Sequence, residues 1–332
     1  AITQPPLCPW LGPCHIDFMT GPVDIFDRTL LRQRRSRAAP EFAAHDFLFR
    51  EIAERLAERT ADVRRDFDTA LDWGGRTGLY ADAAQRLAPG KIGRLVHSEI
   101  SFDLADAGRR THGNPTIVAD EEALPFADHR FDLVVSAGTL HAVNDVPGAL
   151  AQIQRALKPD GLFLGALLGG ETLHELRTAW LAAEAEIEGG ASPRVAPFAE
   201  LADAAGLLQR AGFALPVADL DPIQVTYEHP LKLMHDLRGM GETNIRRDRR
   251  RTPTRRETLF RTAEIYAERF AGPDNRIPAT FELFFLTGWA PDASQPQPLR
   301  PGSADTRLAD ALETVEQASG DAANPRPTKE QG

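Results

Sequence analysis

Only two cysteines occur in the 332 residues, Cys8 and Cys14. Two thiols near one end cannot build a disulfide framework, and a closed zinc site wants more ligands, so both read as incidental and fit a reducing cytoplasm. Nowhere do eighteen apolar residues run together, and mean hydropathy is negative, which leaves no membrane-spanning helix to expect. A basic surplus is missing as well. The net charge of -10 argues against a general nucleic-acid binder, because neutralising phosphates needs a basic surface. No internal repeat is visible, and the first eighteen residues, rich in proline, lack the charged-then-apolar order of a secretory signal.

Residues 1–18 therefore read as an upstream extension or non-native stretch, with Met19 resembling a start. Residues 19–60 are expected to be an N-terminal helical segment, in which Leu48, Ile52 and Leu56 recur every fourth position and Glu51 pairs with Arg55. Two basic runs stand out, "RTLLRQRRSR" at 28–37 and "NIRRDRRRTPTRR" at 244–256. The plain reading of each is a solvated helix face or loop, and the sharper one is a surface for an acidic partner.

From 61 to 290 short apolar runs alternate with helical ones: "TALDW", "RLVHSE", "TIVAD", "FDLVVS", "GLFLGALL", "ADLDPIQVTYEH" and "ATFELFFLTGWA". Continuous apolar strands interleaved with helices imply parallel pairing with both faces covered. The expected fold is a doubly wound α/β domain with a seven-stranded, mostly parallel sheet and a helical insertion at 230–270 before the last strand. Helices are expected from Leu173 to Ile187, ending at Gly189 and Gly190, and from Phe198 to Arg210. Residues 291–332, rich in Pro, Ser, Asp and Gln, read as a disordered tail with a short helical option at 308–315.

The stretch "LDWGGRTG" carries the chemistry. A strand ending in Asp72, then Gly74, Gly75 and Gly78, then a helix, is the turn by which α/β proteins bring backbone N–H groups close to a nucleotide-bearing ligand. The dinucleotide spacing G-x-G-x-x-G is absent. Asp72, Gly74 and Gly78 instead match the D-x-G-x-G-x-G turn of class I S-adenosylmethionine methyltransferases, with Arg76 standing at the middle glycine. In register behind it come "RLVHSE" ending in Glu99, "ADEEALPF" with Asp120 and Glu121, and "FDLVVSAGTLHAVNDV" carrying Ser136 and His141.

On these motifs the chain resembles the class I methyltransferases of the type 11 branch. With "IFDRTLLRQRR", "VNDVPGALAQIQRALKPDGLFLGALLGGETLHELR", "SPRVAPF", "LRGMGETN" and "PATFELFFLTGWA" it resembles more closely the family of mitochondrial complex I assembly factors with arginine-hydroxylase activity and their bacterial relatives, across about residues 23–290. Malonyl-carrier-protein methyltransferases are more distant kin. The resemblance implies S-adenosylmethionine as cofactor, held by Asp72, Gly74, Gly75, Gly78, Glu99 at the ribose, Asp120 at the adenine, Glu121 and Ser136. Arg76 departs from the pattern at its centre, and positive φ is uncommon for arginine.

For chemistry at such a site, methyl transfer needs alignment and, with a protonated acceptor, a general base. His141 is the candidate, with a packing role as the bland alternative. Glu171 and His174, one helical turn apart after the fifth strand, could share its sheet edge, or could simply start a helix. "GMGETN", 239–244, reads as a substrate loop or an ordinary helix stop. Hydroxylation would call for two histidines and a carboxylate around iron. Only His15 and Asp17 have a suitable spacing and no third ligand is evident, so no metal site is expected. Three readings follow: a methyltransferase acting on a carboxyl, amine or guanidinium of a small molecule or protein; an arginine hydroxylase acting on a respiratory complex I subunit; and a non-catalytic assembly factor. The expected location is the cytoplasm, peripheral to the inner membrane through partners.

Overall fold

Seven strand-length runs fold as β1 (Phe67–Trp73), β2 (Ile92–Glu99), β3 (Thr116–Val118), β4 (Phe131–Ala137), β5 (Leu157–Leu168), β6 (Ala214–Tyr227) and β7 (Ile277–Trp289) in a computed structural model that describes residues 24–198, 201–296 and 306–315. They form one sheet in the order β3-β2-β1-β4-β5-β7-β6. The first five pair in parallel, while β7 runs antiparallel between β5 and β6. This is the expected doubly wound, mostly parallel sheet. The order reverses at β1, whose neighbours are β2 and β4, and open α/β sheets bind ligands at the carboxyl ends of strands at such a switch.

The helices are α1 (Arg28–Ala38), α2 (Phe47–Asp62), α3 (Leu79–Leu87), α4 (Phe102–His112), α5 (Val146–Ala156), α6 (His174–Glu188), α7 (Leu201–Arg210), α8 (Pro230–Gly239) and α9 (Arg256–Phe270). Strand alternation sorts the core into two layers. Leu133 and Val135 of β4 join Leu48, Phe49 and Ile52 of α2 and Leu176 of α6 on one face. Val134 joins Leu71, Trp73, Ile153 of α5 and Leu208 of α7 on the other. The expected stop of α6 is observed, with Gly189 in the left-handed conformation at φ 70°.

Two expectations need correction. The basic run 28–37 is a solvated face only in part: it forms α1, capped by Asp27, with Arg32, Gln33 and Arg37 exposed but Leu31, Arg35 and Ala38 buried. The insertion is helical only at its ends, since α8 and α9 flank a non-helical stretch at 240–255 that holds most of the second basic run and pairs with the N-terminal segment through a Phe26–Arg246 bridge. Expectations for residues 1–18 lie outside the described residues, as does most of the region expected to be a tail. Within that region Leu308–Ala311 forms a short helical turn.

Candidate functional site

The glycine turn has the expected shape but serves the protein's own side chains. Gly74 and Gly78 take positive φ, 70° and 81°, and the amides of Gly74 and Gly75 bond to the Ser98 carbonyl at 2.9 and 3.0 Å. A Cβ at Gly74 would lie 2.6 Å from Thr139, one at Gly75 2.1 Å from the Asp72 carboxylate, and one at Gly78 2.7 Å from the His112 ring. Each glycine therefore makes room for a neighbouring residue. Asp72 is fully buried, and its Oδ2 lies 3.1 Å from Nδ1 of His97.

Arg76 is buried with φ 53°, a left-handed conformation that an L-residue adopts at a cost of roughly 1–2 kcal/mol. Its guanidinium runs back under the carboxyl end of β4. It donates to the carbonyls of Ala137 and Gly138 at 3.2 and 3.0 Å and to Oε1 of Glu242 at 2.6 Å, with its central carbon 3.4 Å from the centre of the Phe49 ring.

Helix α1 supplies two more guanidiniums. Arg35, with no solvent exposure, donates from Nη1 to Glu99 at 3.1 Å and to Glu121 at 3.0 Å, and from Nη2 to Oγ1 of Thr139 at 3.1 Å. Arg28 bonds Asp120 at 2.7 Å and also reaches Glu121. Glu99 thus receives Arg35 on both oxygens, the Ser101 amide on Oε1 and the Arg76 amide on Oε2. A carboxylate offers about four lone-pair sites, so this one is fully engaged.

The residues expected around S-adenosylmethionine, from Asp72 and the three glycines to Glu99, Asp120, Glu121 and Ser136, are brought together at the carboxyl ends of β1, β2, β3 and β4, and Oδ1 of Asp72 is buried there without a partner. Glu99, expected at the ribose, accepts from protein donors, Asp120 and Glu121 are ion-paired with α1, and the Arg76 guanidinium turns away toward β4 and Glu242. Ser136, also expected at the cofactor, is buried with its hydroxyl unpartnered. Electrostatics fit an internal network. Burial opposes charge on Arg35, but Glu99, Glu121 and Glu242 outweigh it and raise its pKa. Burial and the Arg35 charge pull Arg76 down to about 10, still protonated at neutral pH. Glu121 and Glu242 are buried too, yet Arg28 and Arg35 hold the first, and His141 with Arg76 holds the second, below the ordinary carboxyl range.

Next to this network lies a cavity of about 290 Å³, lined by Phe49, Trp180, Phe198, Met234, Leu237 and Phe281 among others, with His141 and Glu242 on its wall. His141 sits in the 3-10 turn Leu140–Ala142, and its Nε2 is 3.1 Å from Oε2 of Glu242. Its Nδ1 is buried without a partner. Glu171 and His174 are not brought there. The Glu171 amide bonds Glu282, and His174 accepts contact from Phe270 and lies 3.1 Å from the Glu171 carbonyl, so the expectation that they join His141 is corrected. Residue spacing could not see that α6 turns these two toward β7 and α9.

Sequence reasoning missed Arg28, Arg35 and Glu242 as site residues. The signal for Glu242 was the loop "GMGETN", which is neither a plain helix stop nor an exposed lid: Met240 is buried and Gly241 takes φ 78°. Around the cavity mouth stand Arg34, Arg37, Arg238 and Arg251, none ion-paired with a carboxylate among the described residues. They line two adjoining cavities of about 450 and 400 Å³. Burial and the charges of Arg249 and Arg37 lower the pKa of Arg34, as expected for crowded cations.

A family model described as "Methyltransferase domain" matches residues 71–165. The chain is 40% identical over 293 residues to the protein named "Arginine-hydroxylase NDUFAF5, mitochondrial" of Danio rerio, covering 87% of this chain and 89% of that protein. The human protein of the same name is 42% identical over 285 residues, 85% of this chain and 81% of its own length. The chain belongs to the NDUFAF5 arginine-hydroxylase family. A wider circle of relatives includes the malonyl-[acyl-carrier protein] O-methyltransferase of Halorhodospira halophila, 34% identical over 278 residues, 81% of this chain and 90% of that one. Among solved structures, the YcgJ protein of Bacillus subtilis superposes with a TM-score of 0.51 at 15% identity, covering 73% of this chain and 99% of that chain, which supports the fold. The NDUFAF5-family chain thus carries a methyltransferase-type domain, whose cofactor is S-adenosylmethionine. Among the described residues no helix is long and apolar enough to cross a membrane.

Proposed function

We propose that this NDUFAF5-family chain is an assembly protein that grips an acidic protein segment at the apolar cavity beside its S-adenosylmethionine site. The observation that carries this reading is the set of arginines around the cavity, Arg34, Arg37, Arg238 and Arg251, without a carboxylate partner among the described residues. The unpaired arginines at the mouth favour an acidic segment and disfavour an incoming arginine side chain. A subunit of respiratory complex I is the partner the family suggests, and a cytoplasmic location with docking at the inner membrane goes with it. Calorimetric titration of the S-adenosylmethionine-loaded chain with a glutamate-rich peptide, and separately with a lysine-rich one, tests the reading. Saturable binding of the acidic peptide alone is the expected result, and equal binding of the two or binding of neither would overturn it.

Methyl transfer is the second reading, favoured by His141 and Glu242 as a base and its orienting carboxylate at 3.1 Å on the cavity wall. It predicts a mass increase of one methyl group on the acceptor. Hydroxylation of an arginine predicts instead the mass of one oxygen.

A further inference from the structure

We propose that His45, His235 and Asp236 form a binding site for a divalent transition metal, independent of the reading above. His45 follows the 3-10 turn Phe42–Ala44 that joins α1 to α2, and His235 and Asp236 lie on α8. The sequence separates them by 191 positions, yet their ligand atoms all fall within 4.8 Å of one another. His45 Nδ1 is 2.8 Å from Oδ1 of Asp236, and the two imidazoles are 5.0 Å apart at their centres with a 59° tilt. The approach depends on Gly239, where a Cβ would lie 2.1 Å from the His45 ring. His45 is largely buried, whereas His235 is exposed, so one side of the group is packed and the other opens to solvent.

Two imidazoles and one carboxylate, with remaining positions open, suit zinc or ferrous iron rather than magnesium or calcium, which prefer all-oxygen sets. Arg34, Arg37 and Arg238 line the same cavity as His235 and oppose any divalent cation by charge, so coordinate bonds from the imidazole nitrogens must carry the affinity. The arginines also suit an anion as a further ligand on the metal. A hydrogen bond that ties the turn to α8 accounts for the His45 to Asp236 contact, and the metal would add His235, whose ring already lies against that of His45.

The test is titration of the chelator-treated full chain with Zn²⁺, with Fe²⁺ under anaerobic conditions and with Mg²⁺, followed by Co²⁺ absorption in the visible. A background variant, Cys8→Ser with Cys14→Ser, removes the other thiol donors of the chain. Stoichiometric Zn²⁺ or Fe²⁺ binding in that background, weakened about tenfold or more by His235→Ala and by Asp236→Asn, is the expected result. His235 is exposed, so its removal leaves the fold intact. Equal affinity for Mg²⁺, binding indifferent to both substitutions, or no binding at about 1 mM metal would overturn the proposal.

Discussion

The two sides of the β4 carboxyl end make opposite uses of arginine. On the side of β1 and β2, Arg28, Arg35 and Arg76 are buried and each is matched to carboxylates within hydrogen-bond distance. Around the mouth of the neighbouring cavity, Arg34, Arg37, Arg238 and Arg251 are left without an acid. A buried cation must be paired because its desolvation costs several kcal/mol, whereas a cation in water need not be. The first group is consequently structural, and the second is available to something from outside. The carboxylates of the cleft are tied into the fold, and positive charge without an acid is gathered around the cavity beside it.

The largest effect should come from breaking the buried set. Arg35→Ala leaves Glu99 and Glu121 without their shared cation, and chemical denaturation should show a loss of about 3–5 kcal/mol. A loss under 1 kcal/mol would mean that the cleft is wetter than described. Acid should do the same work more gradually. Glu121 and Glu242 have folded pKa values lowered from 4.5, so their contribution is complete above that value and disappears as pH falls through the lowered ones. Denaturation midpoints should therefore fall steeply below pH 4.5, and Glu242→Gln should flatten that slope.

Loosening the cleft is the next step down. Combining Arg28→Ala with Arg76→Gly frees Asp120, restores the middle glycine and should raise affinity for S-adenosylmethionine by about tenfold, or 1.4 kcal/mol, in calorimetry. His97 gives a smaller effect of opposite pH sign. Burial lowers its pKa, but the hydrogen bond and charge of Asp72 and the charge of Glu99 leave it raised above 6.5. Its contribution is complete below 6.5 and is lost as pH rises through the folded value, and His97→Gln should remove that alkaline decline from the stability profile. Smallest in stability is the rim. Arg37→Glu with Arg238→Glu should shift unfolding by no more than about 0.5 kcal/mol each, yet should weaken capture of an acidic partner and its salt dependence in a binding assay.

All seven strands fell where "TALDW" through "ATFELFFLTGWA" put them, the inner ones because burial on both faces writes a continuous apolar run, although the edge strands β3 and β6 are exposed or half-buried along nearly all their length. The glycine turn was equally plain, including the oddity of Arg76. What the oddity meant was not, because its acid, Glu242, lies 166 residues on. The run "RTLLRQRRSR" looked like a solvated face for the same reason: the partners of Arg35 are 64 and 86 positions away, and a charge run shows its burial only once the fold supplies those carboxylates. Glu171 and His174 failed in reverse, being close in sequence to the right strand but turned toward β7 and α9.

Helix α1 has one more consequence. The segment that matches the methyltransferase family model runs from 71 to 165 and contains Glu99, Asp120 and Glu121 but neither Arg28 nor Arg35. Cut out at those limits, it would carry three acids into its interior with their counter-charges left behind. The smallest portable piece of this molecule must therefore begin before residue 28, and anything fused to its front end acts directly on the polar heart of the domain.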